Sequence, residues 1–143
     1  MKITPKGRYA VTAMLELAIH PAGGPLTLSD LSRRQNISQS YLEQIFFRLR
    51  RRGLVTSARG PGGGYHLRRR ITDISVADII AAVDEDALQA PRRRGQAVLP
   101  SSQVLWTDLS EHIYSFLKGI SLADLINRYT SEQLATFCVI SAE

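Results

Sequence analysis

The chain has 143 residues, 44% of them hydrophobic, which is enough for one folded domain with a buried core. No run of about 18 apolar residues occurs and the N-terminus lacks a signal-peptide layout, so we expect no membrane span and a cytoplasmic protein. The single cysteine, Cys138, excludes an internal disulfide and a cysteine-rich metal cage.

The net charge of +5 is unevenly distributed along the chain. Residues 1–70 carry thirteen Lys/Arg and three Asp/Glu, whereas residues 71–143 carry five and ten. A basic first half and an acidic second half indicate that the first half meets a polyanion. The alternative is an ordinary solvated basic surface.

Three helices are predicted in the first 53 residues. Apolar spacing predicts the first over residues 4–20, and the breakers "PAGGP" follow it. Thr27-x-x-Asp30 is a capping-box pattern that begins a short second helix, and "NIS" (36–38) is a tight turn. The third helix, "SQSYLEQIFFRLRRRG", ends at Gly53.

The third helix has two different faces. Four apolar residues at helical spacing predict its buried stripe: Leu42, Ile45, Phe46 and Leu49. The opposite stripe is mostly polar: Ser40, Glu43, Gln44, Phe47 and Arg51.

Two short strands and further helices follow. Residues 54–58 and 64–69 are predicted strands around a glycine-rich loop, and residues 75–85 form a fourth helix opened by a Ser75-x-x-Asp78 box. Residues 86–102 read as a linker without periodicity. A long helix from about Ser102 then carries a heptad-like apolar seam, and a Ser121-x-x-Asp124 box begins a last short helix. The seam consists of Leu105, Leu109, Ile113, Phe116 and Ile120.

This order of elements predicts a mainly α fold with a small β-hairpin: a winged helix-turn-helix domain followed by a long C-terminal helix, whose apolar seam indicates dimerisation. The predicted domains are residues 1–86 for DNA binding, 87–101 as a linker loop, and 102–143 for dimerisation and the tail. In such a module the third helix enters the major groove, where Gln, Glu and Ser can bond base edges and Arg can bond phosphates. The predicted contacts on this helix are Ser38, Gln39, Ser40, Tyr41, Glu43, Gln44, Arg48 and Arg51.

The glycine-rich loop lacks the Lys-Ser/Thr pair and the following helix of a nucleotide phosphate loop. We therefore interpret it as a wing tip that approaches DNA closely, with Arg59 directed at a minor groove. A plain flexible hairpin turn is the alternative. The predicted wing contacts are Arg59, Gly60, Pro61, Gly62, Gly63 and Gly64.

Four motifs, "KGRYAVTAML", "ISQSYLEQIFFRLRRRGLV", "SARGPGGGYHL" and "AVDE", resemble the IscR-type (BadM-type) winged-helix transcription regulators over residues 1–86. The resemblance resumes from "LWTDLSEHIYSFLKGISLADLI" to about Ile126. It implies a homodimeric bacterial repressor or activator of transcription, with the helix from about Ser102 pairing across the dimer. We expect a repressor.

The chain departs from this family in one interval. IscR-type members carry three cysteines and a histidine between "AVDE" and "LW" that bind a [2Fe–2S] cluster. This chain has neither residue type there, and Pro100 and Gln103 stand where the last cysteine and the histidine are expected. Since cluster ligands must be thiolate or imidazole, we expect no iron–sulfur cluster and no other metal. Arg92, Arg93 and Arg94 occupy this interval as a basic loop that is solvated or touches an anion.

No serine-histidine-aspartate set or paired carboxylates support catalysis, so an enzyme is not expected. The alternative to a DNA-binding regulator is a winged-helix adaptor for protein partners, favoured only by Phe47 on the polar face. Glu43 has two interpretations of its own. It either rejects DNA sites that offer it no cytosine amino group, or it completes a Ser40-x-x-Glu43 capping box.

Overall fold

The computed structural model of the protein describes residues 4–20, 25–60, 63–85, 87 and 100–128. Five helices and two strands have the following bounds: α1 Pro5–Ile19, α2 Leu28–Gln35, α3 Gln39–Arg51, β1 Val55–Ala58, β2 Gly64–Leu67, α4 Val76–Val83 and α5 Pro100–Lys118. A sixth helix, α6, covers residues 122–128. The mainly α fold with one hairpin is confirmed. Among the predicted features, Pro61, Gly62, the Arg92–Arg94 run and Cys138 lie outside the described residues.

The first three helices pack around the predicted apolar stripe of α3. All four residues of that stripe are completely buried and lie in one cluster with Met14 of α1 and Leu31 of α2. Burying one such side chain contributes about 2 kcal/mol, so the stripe fixes the orientation of α3 on the domain. Its opposite face must therefore point away from the core.

Polar side chains begin three helices at the positions that the sequence predicts. The hydroxyl groups of Thr27, Ser75 and Ser121 each accept a hydrogen bond from the amide three residues later. At the start of α2 the Thr27 hydroxyl also donates to the Asp30 carboxylate at 2.7 Å, and this bond and then the Arg33 guanidinium lower the pKa of Asp30. The caps satisfy amide groups that have no partner inside the helix.

Gly53 ends α3 in a left-handed conformation, with φ of +74°. Its amide donates to the Arg50 carbonyl at 3.0 Å and the Leu54 amide donates to the Leu49 carbonyl at 3.0 Å. These two bonds form a Schellman motif, in which glycine avoids the strain of a β-carbon. The chain thus turns directly from α3 into β1.

The hairpin pairs β1 and β2 in antiparallel register, from Val55 opposite Leu67 to Ala58 opposite Gly64. Its second strand is also bonded on the other side. The amides of Leu26 and Tyr65 donate to each other's carbonyl groups at 3.2 and 3.0 Å. The segment before α2 therefore anchors the root of the wing to the helix-turn-helix.

Helix α4 lies between the N-terminal helices and α5, and six of its eight residues are buried. The C-terminal helices are tied to its start, because the Val76 amide donates to the Ile120 carbonyl and the Leu122 amide donates to the Ile74 carbonyl, both at 2.9 Å. α5 begins at Pro100, two residues before the predicted start near Ser102, as suits proline in a first helical turn.

Candidate nucleic-acid interface

The turn before α3 sets the start of the predicted recognition helix. Asn36 ends α2 in the left-handed region, with φ of 53°, and the Ser32 hydroxyl donates to the carbonyl of Ile37. The Ser38 hydroxyl then accepts from the Tyr41 amide at 3.3 Å. Ser38, a predicted DNA contact, is therefore the N-cap of α3. At that position it lies at the N-terminal end of the helix, which is the end that contacts base edges in helix-turn-helix proteins.

This N-cap overturns one interpretation of Glu43. A Ser40-x-x-Glu43 capping box requires Ser40 to precede the helix, whereas Ser40 is its second residue. The capping interpretation is wrong, because the cap is two residues earlier. Glu43 is exposed, and no hydrogen bond or ion pair joins it to another residue that the structure describes. Its carboxylate is free to meet a partner molecule.

The outward face of α3 is polar and open. Gln39, Ser40, Glu43 and Gln44 are all exposed in the first two turns of the helix. Further along, this face borders a shallow groove that Ala82 and Glu85 close from the side of α4. The groove residues on α3 and at its C-cap are Ser40, Glu43, Gln44, Phe47, Arg48, Arg51 and Arg52. Five of the eight predicted recognition residues thus line one concave surface.

Tyr41 is turned partly into the protein. Its half-buried ring meets that of Tyr9 edge to face, with centroids 5.9 Å apart and planes at 90°. It also packs against the core cluster. This aromatic pair joins α1 to the start of α3, so Tyr41 orients the helix whether or not it also touches DNA.

The arginines at the end of α3 divide into two pairs. Arg48 Nη1 donates to the Val83 carbonyl at 3.3 Å, and Arg52 Nη2 lies 2.6 Å from Glu85 Oε1. Arg50 and Arg51 are exposed and form no ion pair within the described part of the chain. Arg48, a predicted phosphate contact, thus also bonds the last turn of α4. Arg51 keeps its whole guanidinium group available.

The backbone geometry of the hairpin explains why glycine occupies the described positions of the wing. Gly60 has a φ of +104°, and the Gly63 amide closes the turn by donating to its carbonyl at 2.9 Å. A β-carbon on Gly63 would lie 2.7 Å from the Ala58 carbonyl oxygen, and one on Gly64 would lie 2.5 Å from that of Leu26. Gly63 and Gly64 are thus required by packing, independently of DNA. Arg59 beside this turn is exposed.

Three further arginines, Arg68, Arg69 and Arg70, are exposed at the base of the wing. Guanidinium nitrogens of Arg68 and Arg69 lie 3.6 and 3.9 Å from the place of a β-carbon on Gly53. They therefore add positive charge next to the carbonyl end of α3, where it is favourable. The run of three arginines at 68–70 is visible in the sequence. Its position next to the end of α3 depends on the fold.

Residues 3–128 match the sequence profile of the Rrf2 family, whose description is "Iron-dependent Transcriptional regulator". The chain belongs to the Rrf2 family. It is 53% identical over 139 residues to an HTH-type transcriptional regulator, ORF2, of Azotobacter vinelandii, covering 94% of this chain and 84% of that protein. It is 52% identical over 132 residues to the HTH-type transcriptional regulator IscR of Yersinia enterocolitica, covering 89% of this chain and 80% of that one.

Solved structures agree with this assignment. CymR of B. subtilis superposes with a TM-score of 0.77 at 34% identity, covering 90% of this chain and 98% of that one. IscR of T. potens superposes with a TM-score of 0.74 at 36% identity, covering 90% and 88%. This Rrf2 protein is therefore a DNA-binding, winged-helix transcriptional regulator and not an enzyme. No helix in the described ranges has the length and hydropathy of a membrane span.

The family description names iron, but the interval between α4 and the body of α5 offers it no cysteine or histidine ligand. Residues 87–103, between α4 and the body of α5, contain neither cysteine nor histidine. Among the residues that the structure describes, no three His, Cys, Asp or Glu side chains are grouped closely enough to hold a metal ion. Thiolate or imidazole ligands are needed for a [2Fe–2S] cluster, so this interval cannot supply them.

The predicted dimerisation seam divides into two faces, and its last residue, Ile120, lies two residues beyond the end of α5. Ile113 and Ile120 are partly buried against a small cluster around Val76, Ala77 and Ile80. Three other seam residues face solvent in the single chain, with exposed fractions of 59% for Leu105, 42% for Leu109 and 64% for Phe116. At about 100° per residue these three lie within about 40° around the helix axis, so they form one apolar stripe.

Proposed function

We propose that this protein is a sequence-specific regulator that binds a two-fold symmetric DNA operator as a homodimer and represses transcription by occupying it. Helix α3 reads bases in the major groove with Gln39, Ser40, Glu43 and Gln44. Arg59 reaches the flanking minor groove from the wing. Because it acts on chromosomal DNA, we expect the protein in the cytoplasm.

The observation that carries the DNA-reading part of the proposal is the outward face of α3. Exposed amide, hydroxyl and carboxylate groups precede an exposed arginine, Arg51, on a helix whose opposite face is fully buried. Amide and hydroxyl groups suit base edges, and a guanidinium suits phosphates. Arg50 and the three arginines at the wing base extend the positive surface next to it.

The homodimer is supported by the apolar stripe of Leu105, Leu109 and Phe116. Trp106 and Val104, the neighbours of Leu105 in the sequence, are also exposed, at 47% and 59%. An apolar surface of this kind is unusual on a protein that stays alone in water. A two-fold pair of α5 helices would cover it, and would present two recognition helices to two half-sites about 34 Å apart or a multiple of this.

The regulator is proposed to act without an iron–sulfur cluster, because residues 87–103 carry no suitable ligand. After anaerobic reconstitution with iron and sulfide, we expect colourless protein after desalting. A stoichiometric visible chromophore would contradict this part of the proposal and leave the DNA-binding part untouched.

A protein-interaction adaptor is the competing function, favoured by the exposed ring of Phe47. The two are separated by measuring binding to operator and to scrambled duplex at several salt concentrations. A sequence-specific regulator prefers the operator at every concentration and loses affinity steeply as salt rises, because phosphate contacts release counterions. Equal weak binding to both duplexes would contradict the proposed function.

A further inference from the structure

Phe47 stands out on the recognition helix. Its exposed fraction is 65%, the highest among the large apolar side chains described as exposed. Most of the others lie on α5, and the remaining two, Tyr9 and Ile19, lie on α1. Phe47 is therefore separate from the proposed dimer stripe and is the one large apolar side chain exposed on α3.

The surroundings of Phe47 are polar apart from Ala82 of α4. The other residues of its groove are polar or charged, and among them Glu43, Gln44 and Arg51 lie within four residues of it along the helix. A protein interface normally centres on several adjoining apolar residues, with charge excluded from the middle. A single ring among an amide, a carboxylate and a guanidinium fits a partner that is itself polar and anionic with isolated apolar points.

The major groove of DNA has one such point, the C5-methyl group of thymine. We propose that Phe47 packs against a thymine methyl group and thereby specifies an A·T pair in each half-site. This inference rests on the proposed function, since it requires that α3 lie in the major groove. It adds a base-specifying residue to the hydrogen-bonding groups of the helix.

The helix geometry also places the thymine. Phe47 follows Gln44 by three residues, which is about 4.5 Å along the axis at 1.5 Å per residue. Base pairs are spaced about 3.4 Å apart. The thymine therefore lies within one to two base pairs of the base that Gln44 contacts. Phe47 lies almost one turn after Gln44 along the helix axis, in the direction of Arg51.

The test uses a duplex that the protein has selected from a random pool as the operator. Its thymines are replaced one at a time with 2′-deoxyuridine, which keeps base pairing and removes only the methyl group. We expect one position per half-site at which the wild-type protein loses about fourfold in affinity, the factor that corresponds to about 0.8 kcal/mol for one buried carbon group. Phe47→Ala should be insensitive to deoxyuridine at that position. Phe47→Leu, which keeps an apolar side chain, should retain part of the loss.

Three results would overturn the inference while the proposed function stands: no sensitive position in a well-bound operator, the same loss in wild type and Phe47→Ala, or a changed oligomeric state in Phe47→Ala. The second would report altered DNA shape, and the third a protein contact. If the wild-type protein does not distinguish operator from scrambled DNA, the proposed function itself is contradicted and this inference with it.

Discussion

Helices α3 and α5 each bury one face in the chain and leave another uncovered, but the uncovered faces differ in chemistry. That of α3 carries amide, hydroxyl and charged groups around one aromatic ring, whereas that of α5 carries Leu105, Leu109 and Phe116. Water solvates the first face well and the second poorly. The uncovered face of α3 is therefore stable in water without a partner, whereas the uncovered face of α5 requires one, which we propose is a second copy of the chain.

Leu109→Asp tests the proposed role of the uncovered α5 stripe. A carboxylate there would have to be buried between two copies, so we expect monomers in sedimentation experiments. Because a monomer engages one half-site, operator affinity should fall by about 100-fold or more. Thr107→Asp is the matched control, since Thr107 is exposed and lies about 180° around the helix axis from the stripe. A Leu109→Asp protein that remains dimeric would place the interface elsewhere.

Ile113→Asp distinguishes the second face of α5 from the first. Ile113 packs against the cluster around Val76 and Ala77, so its replacement places a charge against apolar atoms of the same chain. We expect a loss of stability of about 2 kcal/mol in thermal unfolding. If Ile113→Asp instead dissociates dimers whose monomers are as stable as wild type, Ile113 belongs to the interface between copies and not to the chain's own core.

Arg51→Ala and Arg48→Ala distinguish a phosphate-binding arginine from a structural one at the basic end of α3. Arg51 is exposed and has no ion-pair partner in the described ranges, so its loss should weaken binding on all sequences and reduce the salt slope by about 1. Arg48 bonds the Val83 carbonyl, so Arg48→Ala should lower the free energy of unfolding by about 1 kcal/mol and change the salt slope less. Equal salt slopes for the two variants would show that this division is wrong.

Glu43→Ala should have a small effect on operator affinity and an informative one on specificity. The Glu43 carboxylate takes no part in capping the helix and faces outward. Close to DNA it is repelled by phosphates unless a cytosine amino group donates to it, so its removal should broaden the set of bound sequences. Because Ser38 caps α3, the melting temperature should be nearly unchanged. If Glu43→Ala keeps the sequence preference of the wild type in competition assays, Glu43 does not reject DNA sites.

Local signals made much of this fold predictable. The stripe at 42, 45, 46 and 49 and the capping pairs at 27, 75 and 121 depend on residues a few positions apart, and the structure confirms them. The ambiguity at Ser40-x-x-Glu43 was also local, because Ser38 offers the same hydroxyl two residues earlier. A spacing pattern alone cannot choose between two neighbouring caps.

Contacts between distant residues were not predictable from spacing. Gly64 is required by the carbonyl of Leu26, and Arg48 is drawn to that of Val83, 35 residues away. The α5 seam shows the same limit. Its repeat predicts one apolar face, but whether Ile113 or Leu109 meets its own chain depends on where α4 lies. The sequence thus predicts which residues are candidates for the sites. It does not predict which of these candidates contact their own chain and which remain available to a partner.

The most direct test of the account is selection of bound duplexes from a random pool with the wild-type protein and with Leu109→Asp. The wild type should enrich an inverted repeat whose half-site centres are about 34 Å apart or a multiple of this, as two recognition helices on a two-fold axis require. Leu109→Asp should enrich a single half-site at best. Enrichment of no motif, or of a motif without two-fold symmetry, by the wild-type protein would contradict the account.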